Sequence, residues 1–160
     1  MNLRKQFNNF IENNLDNAYR FAYSYLKNQA DAEDVVSESV VKALKSISQL
    51  KNPDYMKTWF FSIIANTAKT HYKNNKKITY LDSEIYDSTV GKEDDYSHIN
   101  LESMLKILDE ELRSIVILRF FEDMKISDIA LILSQNENTI KTKLYKALKI
   151  LKEDMEDKNA

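Results

Sequence analysis

The 160-residue sequence predicts an all-α fold: two small helical domains joined by an acidic flexible linker, the second with a helix-turn-helix. Three observations carry this expectation. With one Gly and one Pro in the chain, hairpins and tight strand-to-helix turns lack their usual residues. Apolar residues recur at helical spacing over most of the length. Between 78 and 100, Asp82, Glu84, Asp87, Glu93, Asp94 and Asp95 are countered by Lys92 alone, Gly91 is the single glycine, and no apolar period persists. Such a stretch buries too little to hold a fixed shape. The domains are therefore expected at 1–77 and 101–160, each small for an independent core.

In the first domain, Phe7, Phe10, Ile11, Ala18, Phe21, Ala22, Tyr25 and Leu26 form an apolar series with a break expected near Asn13-Asn14. Asp31 is expected to cap a second helix running to about Ile47, with Val35, Val36, Val40, Ala43, Leu44 and Ile47 as its apolar residues. Glu33 and Asp34 suit the positive end of its dipole. Glu38 and Lys42 stand four apart and can pair, adding about 0.3 kcal/mol. Taken alone, these features are ordinary capping and surface charge.

After the turn Lys51-Asn52-Pro53, a long helix is expected from about Asp54 to Asn75, with Met56, Trp59, Phe60, Ile63, Ile64 and Thr67 facing the core. A different face carries Ser62, Ala65, Asn66, Lys69, Lys73 and Lys76, and no acid occurs from Lys57 to Leu81. Small residues allow close backbone approach at one end, and lysines suit phosphates at the other. Phe61 and Tyr72 border this face, where aromatic rings can stack on unpaired bases. The alternative is a helix whose aromatics belong simply to the core, and for Trp59 and Phe60 that reading is preferred.

In the second domain, Ser127 is expected to cap a short helix with Ile129, Ala130 and Leu133 as its apolar residues. The polar turn Ser134-Gln135-Asn136-Glu137 follows, with Asn136 as the next cap. The fifteen residues from Asn138 to Lys152 contain five lysines and no acid. Ile140, Leu144, Ala147, Leu148 and Leu151 mark the apolar face of one long helix, and Lys141, Thr142, Tyr145, Lys146 and Lys149 gather opposite. In a chain of net charge −2, this basic surface is local. A short helix, polar turn and long basic helix make a helix-turn-helix suited to a DNA major groove. The bland alternative is a bundle helix whose lysines are merely solvated.

Other classes are disfavoured. There is no cysteine, hence no disulfide and no thiolate metal site. The two histidines, His71 and His98, lack ligand companions, so no metal or other cofactor is expected. No phosphate loop or nucleophile constellation appears, and an enzyme is not expected. No apolar run reaches membrane-span length, and Met1-Asn-Leu-Arg-Lys lacks the apolar core of a signal peptide. A cytoplasmic protein without direct membrane insertion is expected.

Four stretches, in order and at fitting separations, carry a family resemblance. They are Asp31-Ala-Glu-Asp-Val-Val-Ser-Glu-Ser-Val-Val-Lys-Ala-Leu, Thr58-Trp-Phe-Phe-Ser-Ile-Ile-Ala-Asn-Thr-Ala-Lys, Leu118-Arg-Phe-Phe-Glu-Asp-Met-Lys-Ile-Ser-Asp-Ile-Ala and Thr139-Ile-Lys-Thr-Lys-Leu-Tyr-Lys-Ala. Through them the chain resembles the two-domain, extracytoplasmic-function type of sigma factor in the sigma-70 family. The resemblance covers nearly everything except the linker. It implies core RNA polymerase and promoter DNA as partners, with an anti-sigma factor as a further class of partner. Asp34, Val36, Glu38 and Lys42 would contact the polymerase clamp. The turn with Leu50, Lys51 and Asn52 would capture a flipped base of the −10 element, which Phe61, Ser62, Asn66, Lys69 and Lys73 would read and open. Arg119 would touch a phosphate, and Lys141, Thr142, Tyr145 and Lys146 would read the −35 element. The linker would thread toward the RNA exit path.

This sequence departs from the family pattern at several positions. Many relatives carry arginine where it has Ser62, Lys143 and Lys146, and lysine lacks arginine's planar fork for guanine. Ile126 replaces a frequent aromatic, and His71 a common acid. The implied mechanism is binding and strand separation. Opening duplex DNA costs about 1.4 kcal/mol per base-pair step, and an extruded base stacked on protein returns roughly 1–3 kcal/mol. Three rivals remain at the sequence level: a polymerase-independent helix-turn-helix regulator, a protein-interaction module such as a sigma-factor antagonist, and, weakest, an enzyme.

Overall fold

The computed structural model describes residues 2–82 and 105–159, with side chains described for 2–74 and 105–158. Most of the expected linker, and His98 within it, lies outside the described residues.

Helix α1 (Leu3–Leu26) starts where the Asn2 side chain accepts the Lys5 N–H at 2.8 Å. It is continuous, which corrects the break expected at Asn13-Asn14. Those side-chain amides donate back to Asn9 O at 3.1 Å and Phe10 O at 2.8 Å, so they bond along the helix instead of interrupting it. Lys27 ends α1 in the left-handed region at φ 56°, a place glycine usually takes. Helix α2 (Gln29–Ser46) is capped by Asn28, which accepts the Asp31 N–H at 2.9 Å. Asp31 therefore stands in the first turn, not at the cap.

Two single turns, Ile47–Gln49 and Pro53–Tyr55, lead to helix α3 (Met56–Asp82). Asn52 accepts the Asp54 N–H at 3.0 Å, and Pro53 occupies the first-turn position that needs no amide hydrogen. Helix α3 continues through residues 78–82, which the sequence reading gave to the linker. The segment from Asn75 to Leu81 holds neither Gly nor Pro to stop it.

Helix α4 (Glu110–Val116) is capped by Asp109 and runs into a widened π-helical turn, Ile117–Phe121. Helix α5 (Ile126–Leu133) follows, then α6 (Glu137–Asn159). Lys125 precedes α5 without a side-chain cap, so Ser127 is not the capping residue. The turn between α5 and α6 is the expected one. Ser134 adopts φ 55° in place of glycine, and Asn136 accepts the Asn138 N–H at 2.7 Å.

Helices α1, α2 and α3 pack around aromatic rings. Phe7 lies 5.5 Å from Phe60, and Phe21 lies 5.5 Å from Phe61, centroid to centroid. A smaller cluster of Leu108, Leu112, Val116 and Ala147 joins α4 to α6. The larger core does not end with α3. Ile115, Leu118, Met124, Ile129, Ala130, Ile132, Leu133 and Ile140 belong to the same buried cluster as Phe7 and Phe60. The two helical domains thus pack on one another through a shared cluster, which no sequence period showed. Helix α3 bears more apolar surface than α1 and α2 cover, and α5 has a matching face; burying both together removes more apolar area from water.

Candidate nucleic-acid interface

The basic face of α6 stands in solvent. Lys141, Thr142, Tyr145, Lys146 and Lys149 are all exposed, with Tyr145 at 75%. Ile140 and Ala147 are fully buried on the other side and fix the helix's rotation. Leu148, expected on the apolar face, is partly open at 37%. Lys143 behaves differently from its neighbours. Its Nζ donates to Glu111 Oε1 at 2.5 Å and to Gln135 Oε1 at 3.0 Å, and Gln135 also donates to Glu111. Burial raises the Glu111 carboxyl, but the hydrogen bonds from Lys143 and Gln135 and the nearby lysine charges bring it below its ordinary value. The network ties α4, the turn and α6 together. Arg119, half-buried, donates to Met124 O at 3.4 Å with its guanidinium 5.7 Å from the Phe120 ring centre.

On α3, Asn66 and Lys73 are exposed. Ser62 is half-buried, its hydroxyl donating to Thr58 O at 2.9 Å. Lys69 is half-buried and donates to Leu133 O, at the end of α5, at 3.4 Å. Phe61 is fully buried against Phe21 and Phe60, and Ala65 is buried with it. The expectation that Phe61 borders an open face is corrected: its ring is a core ring. Tyr72 donates its hydroxyl hydrogen to Glu110 Oε1 at 2.6 Å, across the two halves. The Lys76 side chain lies outside the described residues.

In the turn before α3, Lys51 and Asn52 are exposed, but Leu50 is buried and anchors the loop. Tyr55, exposed at 58%, is an aromatic beside this loop that the sequence reading missed. Its position directly after Pro53-Asp54, outside the α3 core period, was the available signal.

On α2, Asp34, Glu38 and Lys42 are exposed, whereas Val36 is buried and serves the core. The anticipated Glu38–Lys42 pair forms at 3.9 Å. Glu38 also meets His71 Nε2 at 3.4 Å, and Lys42 donates to Thr67 Oγ1 at 3.1 Å. Val41, half-exposed, lies one helical turn beyond Glu38 and was also missed. The direct-contact expectation is therefore corrected at Val36, Leu50 and Phe61, all of which face inward.

These faces sit within regions that match known families. Residues 10–78 match Sigma-70 region 2, and residues 98–151 match Sigma-70 region 4. The chain is 45% identical over 135 residues to the RNA polymerase sigma factor SigV of Bacillus subtilis (strain 168), covering 84% of this chain and 81% of that protein. The chain belongs to the sigma-70 family. A second relative, the ECF sigma factor SigW of the same organism, is 24% identical, covering 89% of this chain and 84% of its own. In fold, this sigma factor is similar to the sigma factor RpoE crystallised with the anti-sigma factor NepR from Bartonella quintana. The TM-score is 0.80 at 22% identity, with 95% of this chain and 98% of that one covered. Among the described residues of this sigma factor, no helix is long and apolar enough to cross a membrane.

Proposed function

We propose that this chain acts as an alternative sigma factor that docks on core RNA polymerase, selects a promoter and helps open it. The observation that carries the reading is the segregation of exposed groups. Carboxylates Asp34 and Glu38 stand on α2, an amide and a lysine (Asn66, Lys73) on α3, and a basic, hydroxylic face on α6. An acidic docking face and two faces suited to nucleic acid are what a promoter-selecting polymerase subunit requires.

In this reading residues 1–77 serve docking and the −10 element, residues 101–160 the −35 element, and residues 78–100 connect them. Polymerase contact falls to Asp34, Glu38 and Lys42, with Val41 beside them. Lys51, Asn52, Ser62, Asn66, Lys69 and Lys73 serve the −10 element. Lys141, Thr142, Tyr145 and Lys146, with Arg119 on a phosphate, serve the −35 element. The chain contributes binding and strand separation, and the polymerase forms the bonds. Its place of action is then the cytoplasm, and an anti-sigma factor is a fitting further partner, as for the RpoE relative.

The Glu38→Lys variant tests the docking face. Affinity for core polymerase should fall about tenfold, equivalent to roughly 1.4 kcal/mol, with helix content by circular dichroism unchanged. Wild-type affinity in a folded variant would return Glu38 to an ordinary surface role.

A further inference from the structure

Among the described residues, one polar group at the contact between the two halves is poorly accommodated. Most polar crossings match a donor to an acceptor: Tyr72 to Glu110 at 2.6 Å, Lys69 to Leu133 O at 3.4 Å, Lys57 to Glu122 O at 3.2 Å. Arg113, almost fully buried, donates to Ser24 O at 2.5 Å, in the last turn of α1. There its charge also meets the negative end of the helix dipole.

The Glu122 side chain is the exception. It follows the π-helical turn, is 0% exposed, and neither carboxylate oxygen has a hydrogen-bond partner. Its compensation is two cations from the other half: Arg20 Nη1 at 3.6 Å and Lys57 Nζ at 3.4 Å. Both stay more than a third exposed, and the Arg20 guanidinium also lies 5.3 Å from the Phe121 ring centre. A carboxylate stripped of water is repaid only by close geometry and filled hydrogen bonds. Here the distances are long, the hydrogen bonds are missing, and each cation retains water as an alternative partner.

We propose that Glu122 is the breach point of the closed molecule: its buried carboxylate weakens the contact between the halves and keeps it openable. Opening rehydrates Glu122 and frees Lys57 and Lys69 together. The ion pairs then guide the halves back into register but do not lock them. An ordinary stabilising salt bridge at this place makes the opposite prediction for removal of the charge.

Amide hydrogen exchange of the α5 segment in the free, full-length chain reads the opening equilibrium directly. Glu122→Met, apolar and of similar length, should raise α5 protection about tenfold, because Arg20 and Lys57 can turn to water. Glu122→Gln should raise it less, having kept a polar group. Lys57→Gln should lower protection in the wild-type background and lower it less beside Glu122→Met, where only the hydrogen bond to the carbonyl of residue 122 remains to be lost. Reduced protection in both Glu122 variants would make the carboxylate a true stabilising anchor, and unchanged protection in both would remove it from the closure; either overturns the proposal. If Glu122→Met loses helix content by circular dichroism, Glu122→Gln decides alone. The readout requires neither polymerase nor DNA, so it stands or falls separately from the sigma-factor reading.

Discussion

Tyr72 and Glu110 make the most informative single contact between the halves, because it can be titrated. The hydrogen bond from Tyr72, helped by the backbone at the start of α4, holds the Glu110 carboxyl below its ordinary 4.5, with Lys27 and Arg113 adding in the same direction. The same hydrogen bond raises the Tyr72 hydroxyl, and burial pushes its neighbour Tyr25 up to about 12. Both phenols thus stay neutral through the physiological range. A carboxyl whose value is lower folded than unfolded stabilises fully above the unfolded value, and that stability is lost as pH falls through the folded one. Stability of the chain should therefore decline as pH drops below about 4.5, and Tyr72→Phe should flatten the decline. Chemical denaturation at several pH values measures both; equal slopes in wild type and variant would show that the bond does not influence Glu110. At this scale sequence patterns reached the exposed residues of α6 but misjudged the burial of Val36, Leu50 and Phe61. Val36 and Phe61 lie one residue before the more open Ser37 and Ser62, and a shift of one residue on a helix is a rotation of about 100°. Leu50 precedes the exposed Lys51 in an extended turn.

In the proposed reading, helix α6 and helix α3 offer DNA two different chemistries. The face of α6 is rotated outward by Ile140 and Ala147 and braced by the Glu111–Gln135–Lys143 network. Within the polymerase complex, Tyr145→Ala should cost roughly 1–3 kcal/mol and relax preference at one or two upstream positions. Asn66→Ala should instead impair opening or preference at the downstream element. Profiles over a promoter library separate the two; changes at the same positions by both variants would contradict the division. Helix existence and type were legible because apolar periods were long and breakers almost absent. Helix starts were less legible. Asn28 caps α2 although Asp31 looked suited, and α5 begins without any side-chain cap, since tertiary packing of Ile129 and Leu133 outweighs a missing cap.

The whole molecule differs most from its sequence pattern in that its halves share a core. Composition located the acidic stretch, but no local period can reveal that Ile129 and Leu133 join a cluster containing Phe7 and Phe60. The closed arrangement leaves the α6 face open while engaging Lys69 of the α3 face. The free protein should consequently present the α6 face whole and the α3 face without Lys69, neutralise few phosphates with either, and bind duplex DNA weakly, more so as salt rises. Polymerase would hold both faces at promoter spacing, making the second contact effectively intramolecular. Run-off transcription over a promoter library, with core polymerase in the presence and absence of this chain, tests that claim most directly when paired with free-protein binding to the same fragments at several salt concentrations. The account predicts transcripts from a defined promoter class only when the chain is present, and weak, salt-sensitive binding by the chain alone. No promoter-directed transcript, together with tight sequence-specific binding by the free chain at physiological salt, would contradict it in favour of a polymerase-independent regulator.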